Sequence, residues 1–151
     1  MPGTVRAAVP DDLAAIQHIV RTAYEPWVRS IGIRPAPLDS DYAALISRKV
    51  VYVHGDDKPT GVIVLVPEEE VLLIENVAVR PDRQGEGIGR TLLAFAELTA
   101  RRGGRAAVRL YTHSEMGGNL ELYESLGYEV TGHERLDRGH LVHLRKDLLP
   151  S

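Results

Sequence analysis

The chain has 151 residues, 44% of them apolar and 26% charged, with a formal net charge of −3 and no cysteine. That length suits one domain with its own core. The charge gives nucleic acid no electrostatic support, and the missing thiols exclude disulfides, cysteine nucleophiles and thiolate metal sites. No apolar run approaches the length of a membrane span, and Met1-Pro-Gly-Thr4 lacks both the basic and the apolar part of a signal peptide, so a cytoplasmic protein is expected.

In chain order, Val5 to Val9 reads as a short strand. Pro10-Asp11-Asp12 opens a helix with an acidic start suited to the helix dipole, and Leu13, Ile16, Ile19, Val20 and Tyr24 make its apolar stripe. Pro26 is expected to end it or to start a new short turn. Residues 25–38 hold Pro26, Pro35, Pro37, Gly32 and the sole tryptophan, Trp27, which predicts a stiff, partly apolar loop rather than a plain linker. Asp39 or Ser40 caps a second helix running to about Arg48, with Tyr42, Leu45 and Ile46 turned inward. Val50 to His54, Gly61 to Val66 and Val71 to Val79 read as an antiparallel meander, linked by turns at 55–60 and 67–70.

The strand ending at Val79 stops at Arg80-Pro81. A turn with glycines at 85, 87 and 89 follows, and then a helical pattern through Ile88, Leu92, Phe95 and Ala96. Strand, glycine turn and helix together suit a phosphate. The first N–H groups of a helix lack partners and sit at its positive end, and glycine lets the ligand approach that backbone. It is not a Walker A loop, which needs a lysine after its second glycine. It is not the dinucleotide fingerprint either, since Arg90 stands where the third glycine belongs. Arg101-Arg-Gly-Gly104 stops the helix. Ala106 to Thr112 is then a strand parallel to Val71–Val79 by a right-handed crossover. Asn119 to Leu126 is a short helix ended by Gly127, and Tyr128–Thr131 with Leu141–Lys146 form a hairpin. The predicted class is α+β: one domain over residues 1–151, with a mixed, mostly antiparallel sheet of about seven strands and about four helices.

Two motifs carry a family resemblance. Gln84-Gly85-Glu86-Gly87-Ile88-Gly89, after Val77-Ala-Val-Arg-Pro81, resembles the Gln/Arg-x-x-Gly-x-Gly/Ala signature of the GNAT superfamily, the acetyl-CoA-dependent N-acetyltransferases. Asn119-Leu-Glu-Leu-Tyr123-Glu-Ser-Leu-Gly127-Tyr128 resembles that family's Asn…Tyr…Gly-Phe element, with one residue fewer between Asn and Tyr. At this i, i+4 spacing both side chains share a helix face. The resemblance covers nearly the whole chain. It implies that Gln84, Gly85, Gly87, Gly89 and Arg90 hold the pyrophosphate of coenzyme A. It also implies that freed backbone groups of Val77 and Val79 pair with pantetheine, that Asn119 contacts the pantetheine arm, and that Tyr123 lies beside the thioester sulfur. The segment after the first helix would cover the acceptor, with Trp27, Ile31 and Ile33 lining that pocket; Trp27 as ordinary core is the other reading.

Amine acetylation needs a neutral amine, a donor for the developing oxyanion and a proton for the departing thiolate. Glu75 is the candidate base. It is a carboxylate inside an apolar strand, where a charge is costly without a purpose; an ion pair with an arginine is the structural alternative. Alternation places it on the face of Val77 and Val79 unless a bulge intervenes. Tyr123 is the candidate acid, protonated at neutral pH by an ordinary pKa near ~10, with Tyr111 and Tyr128 as lesser alternatives. His113, at the end of a strand flanking the cleft, is a candidate acceptor contact, with Glu115 and Met116 beside it. His133, His140 and His143 show no ligand spacing, so no metal is expected. Arg29 and Arg34 could meet an acceptor carboxylate or be solvated. The expected function is transfer of an acetyl group from acetyl-CoA to a primary amine of a small molecule or peptide by direct attack. The alternative is a non-catalytic acyl-CoA-binding sensor or partner subunit, which has no need of Glu75 and Tyr123. A homodimer through Leu141, Val142 and Leu144, read as a sheet edge, is also allowed.

Overall fold

The computed structural model describes residues 4–32, 34–115 and 119–148. The strands are β1 (Val5–Ala7), β2 (Val51–His54), β3 (Gly61–Pro67), β4 (Val71–Val79), β5 (Ala107–His113), β6 (Glu129–Arg135) and β7 (His140–Asp147). They form one sheet in the order β1-β2-β3-β4-β5-β7-β6. Only the β4–β5 pair is parallel; the remaining pairs are antiparallel. The helices are α1 (Leu13–Ile31), α2 (Tyr42–Ser47), α3 (Ile88–Arg102) and α4 (Asn119–Ser125). This is the expected α+β arrangement. The crossover through α3 makes β5 parallel to β4, because a helix returning on one face brings the chain back in the same direction.

Helices cover both faces of the sheet. On one, Leu92, Leu93, Ala96 and Ala100 of α3 pack with Ile63, Leu65, Leu72, Ile74, Val108 and Leu110, joined by Tyr123 and Tyr128. On the other, Ile16, Ile19 and Val20 of α1 and Tyr42, Leu45 and Ile46 of α2 cover Val51, Val53, Val62, Val64 and Ala78. That explains why β3 is a continuous apolar run: both of its faces are buried. Gly61 lets α3 approach β3 closely. A Cβ there would lie 2.9 Å from Ile88 Cγ2 and 3.0 Å from Leu92 Cδ1.

Three expectations need correction. Pro26 does not end the first helix. α1 runs through it to Ile31 and closes at Gly32, whose φ of 70° lets its N–H reach the Val28 carbonyl at 2.9 Å. Proline removes only its own N–H, and the helix on either side of it is held by packing, with Tyr24 anchored to β4. The second helix is capped by Asp41 rather than Asp39 or Ser40. Its carboxylate accepts the Ala44 N–H at 3.1 Å, while Ala36–Asp39 form a separate single turn. Finally, β7 is not an edge. It lies between β5 and β6, with Val142 and Leu144 buried in the core, and of the last two strands it is β6 that forms the sheet edge.

Candidate active site

The site is organised by a bulge and a gap in β4. Against β3, the register jumps: Val64 faces Asn76 but Leu65 faces Ile74, leaving Glu75 without a partner. Leu72 and Ile74 belong to the core under α3, and so do Val77 and Val79, an interval of three across the bulge. Glu75 is therefore not on the face of Val77 and Val79, as plain alternation requires. It lines the cavity on the α2 side together with Asn76. Against β5, pairing runs only from Val71 to Ile74, opposite Ala107 to Leu110. Beyond that point Tyr111, Thr112 and His113 keep only the pairing with β7 that β5 has along its whole length. Among the described residues no strand pairs with the β5-facing edge of Glu75 to Val79, which leaves room for a guest to pair there.

Two cavities meet there. One, about 660 Å³, is lined by Val77, Val79, Gln84, Gly85, Gly87, Gly89 and Arg90. Gly85 and Gly87 have φ of 85° and 84°, the left-handed region open to glycine. Gly87 is the N-cap of α3 and supplies no side-chain cap. The first N–H groups of that helix therefore face the cavity side unpaired by the helix itself, which fits a phosphate group. The side chains of Asn119 and Ile31, and all of Ile33 and Met116, lie outside the described residues.

The other cavity, about 570 Å³, is bounded by Glu75, Asn76, Tyr42, the Arg34–Pro37 segment, Tyr111 to His113 and, at its far side, Glu134 and His143. Tyr24, Val77 and Tyr123 line both cavities. Tyr123 is 7% exposed, and burial pushes its phenol up to about 12, so it holds its proton throughout the neutral range.

Other predicted residues fall elsewhere. Trp27 lines the glycine-loop cavity, not the acceptor side, because α1 continues as a helix and turns that face towards Val77–Val79. His113 walls the acceptor cavity, but both ring nitrogens are occupied. Nδ1 accepts the Glu115 N–H at 3.0 Å, so Nε2 carries the proton and donates to the Arg138 carbonyl at 2.9 Å. It staples β5 to the β6–β7 turn and has no nitrogen left for an acceptor. Glu115 pairs with Arg138 at 3.3 Å. Arg34 lines the acceptor cavity and pairs with Asp39 at 2.9 Å. Tyr111 lines the same cavity and packs on His143. Tyr128 lines neither, and its buried hydroxyl has no hydrogen-bond partner among the described residues. His133 meets His140 edge to face, and no metal-holding group of three or more ligands occurs among the described residues.

Sequence reading treated Tyr24 and Tyr42 as helix core and passed over Asn76. The fold joins them. The Tyr24 hydroxyl donates to Asn76 Oδ1 at 2.6 Å and lies 3.2 Å from the Val77 carbonyl. Asn76 Nδ2 donates to the Tyr42 hydroxyl at 3.1 Å, which in turn donates to the Pro37 carbonyl at 2.7 Å. The one signal in the sequence was a second polar residue, Asn76, beside Glu75 in an otherwise apolar strand.

The sheet parts beside a bulge, with a helix start that has no side-chain cap at one end of the gap and a carboxylate at the other. The model of the acetyltransferase (GNAT) domain matches residues 47–130, and the chain belongs to this family. It is 32% identical over 157 residues to the S-(2-succino)cysteine N-acetyltransferase of Bacillus subtilis (strain 168), covering 95% of this chain and 94% of that one. It is 35% identical over 108 residues to a mycothiol acetyltransferase of Cellulomonas flavigena, of which it spans only 29%. In shape it is similar to the PaiA N-acetyltransferase from Thermoplasma acidophilum, solved in complex with coenzyme A. The TM-score is 0.81 at 20% identity, covering 98% and 100% of the two chains. The chain is an acyltransferase of the GNAT class. No helix among its described residues is long and apolar enough to cross a membrane.

Proposed function

We propose that this chain, as a single domain over residues 1–151, moves an acetyl group from acetyl-CoA to a primary amine of a small molecule or peptide by direct attack. The observation that carries this reading is the junction: Val77 and Tyr123 line both the glycine-loop cavity and the cavity holding Glu75. Two reactants entering from opposite sides would meet there, which removes much of the entropic cost of a bimolecular step. Acetyl-CoA, when bound, supplies an activated acyl group. The first N–H groups of α3, with Gln84, Gly85, Gly87, Gly89 and Arg90, would hold its pyrophosphate, and the free edge of Val77 to Val79 its arm. Glu75 accepts the proton of the incoming ammonium, directly or through water. As the amine nitrogen bonds to the acyl carbon and the carbon–sulfur bond breaks, Tyr123 would give its phenolic proton to the departing sulfur and regain one from the acylated nitrogen. A backbone N–H at the gap stabilises the oxyanion without a charged side chain.

The test is release of free thiol from acetyl-CoA, with acetylated product confirmed by mass spectrometry. The amine panel is S-(2-succino)cysteine, cysteine, short diamines and peptide N-termini. Amine-dependent release with one acetyl group gained supports the reading. Coenzyme A binding without transfer to any of them would overturn it.

A further inference from the structure

The buried polar chain from Tyr24 to Pro37 joins three parts of the molecule that sequence keeps far apart. Asn76 is 5% exposed and sits on the bulge next to Glu75. Its amide is used at both ends, accepting from Tyr24 and donating to Tyr42. Tyr42 passes the connection to the Pro37 carbonyl. Pro37 belongs to the short turn Ala36–Asp39, which is exposed or half-buried throughout and forms one wall of the acceptor cavity. That turn is anchored by Leu38, which packs against the α1–α2 core, and by the exposed Arg34–Asp39 pair. Its backbone bonds are local, Leu38 N–H to the Pro35 carbonyl at 3.1 Å and Ser40 N–H to the Pro37 carbonyl at 3.5 Å. The Tyr42 hydroxyl adds a hydrogen-bonded tie between this wall and Asn76 of β4.

We infer that Tyr42 and Asn76 are positioning residues that set the acceptor side of the site, holding the 36–40 wall at a fixed distance from Glu75 while leaving the cofactor side alone. The inference rests on the acetyl-transfer reading above. Asn76 fixes the bulge by hydrogen bonds to two helices at once, and its orientation follows from its partners: Tyr42 can accept from Nδ2 only because its own proton goes to Pro37. Neither Tyr42 nor Asn76 lines the glycine-loop cavity, whereas Tyr24 does. Loss of the Tyr42 hydroxyl takes from Asn76 Nδ2 its acceptor and leaves the Pro37 carbonyl with only the long Ser40 N–H bond, an effect worth about tenfold in an equilibrium. It should be felt by the acceptor and not by coenzyme A.

The experiment compares the full chain with Tyr42→Phe and Asn76→Leu. Hydrogen exchange at the amides of Ala36 and Leu38 to Ser40 should accelerate about tenfold in Tyr42→Phe, with coenzyme A affinity by calorimetry unchanged. With whichever panel amine is turned over fastest, its KM should rise about tenfold while KM for acetyl-CoA stays fixed, and the double variant should be no worse than Asn76→Leu alone. If Asn76→Leu does not fold, Tyr42→Phe decides. Unchanged exchange at 36–40 overturns the inference, and so does a parallel rise in both KM values, which would mean a general loss of structure. Absence of transfer by the unaltered chain would sink the acetyl-transfer reading instead, while the exchange and calorimetry arms still judge the tie itself.

Discussion

Ile74 and Leu110 are the last residues at which β4 and β5 lie in register, and the site begins at the next residue on each strand. One side chain beyond Ile74 is Glu75, and one beyond Leu110 is Tyr111, both walls of the same cavity. The parting of the two strands creates an unpaired strand edge for a ligand and a space for a second one, so most substitutions at the site can be assigned to one side or the other.

On the cofactor side, Gly89→Asp should weaken coenzyme A binding. Gly89 has ordinary helical backbone, and a Cβ there meets only Val79 Cγ2 at 3.9 Å, so the fold tolerates a side chain. The added carboxylate stands where a phosphate would lie, and like charges in contact cost several kcal/mol. Calorimetry should show affinity reduced by a factor on the order of 100, with an unchanged circular dichroism spectrum. Gly87→Glu adds backbone strain, because its φ is 84°. Unaltered binding in folded Gly89→Asp would show that the pyrophosphate lies elsewhere.

Glu75→Gln should lower turnover and leave coenzyme A affinity intact. A glutamine keeps the shape but cannot take a proton, and an alkyl ammonium is mostly charged below ~10.4. Raising the pH supplies neutral amine and should restore part of the lost rate. A pH–rate profile of this variant parallel to that of the unaltered chain would remove Glu75 as the base.

Tyr123→Phe should lower kcat by roughly 10²-fold, the usual size of general-acid assistance, with little change in coenzyme A affinity. Burial holds the phenol up to about 12, so the unaltered enzyme should show no alkaline limb from this group below about pH 10. An acetyl thioester of a more acidic thiol should narrow the difference between the two proteins. Equal losses with both thioesters would assign Tyr123 to positioning.

Alkaline stability should fall through a defined window. Tyr42 and Tyr123 are each pushed up to about 12, chiefly by burial, and burial raises Tyr24 as well. In the unfolded chain these phenols ionise near ~10. Between those values the unfolded state binds fewer protons than the folded one, so the stabilisation is complete below about pH 10 and is lost as pH climbs towards 12. Each of the two is worth a few kcal/mol across that window. Denaturant melts from about pH 9 upward should show the decline, flattened in Tyr42→Phe; an identical slope in that variant would refute the assignment.

The glycine turn, the α3 stripe of Leu92 and Ala96 and the apolar β3 were legible in the chain because each is local: periodicity, an αL glycine and a helix start are decided within a few residues. The same locality allowed Gln84 to Arg90 to be read as one ligand loop, whereas the place of Tyr123 beside it came from the family resemblance; in the fold it lines the same cavity. Three things were decided only by tertiary structure. The face of Glu75 depends on a register jump against Val64 and Leu65, and register is a property of two strands. The helix past Pro26 is set by packing and by Tyr24 on β4, which outweigh one missing N–H. The chain Tyr24–Asn76–Tyr42–Pro37 joins residues up to 52 positions apart; no spacing along the sequence encodes it, because its members meet only when both helices are laid on the bulged strand.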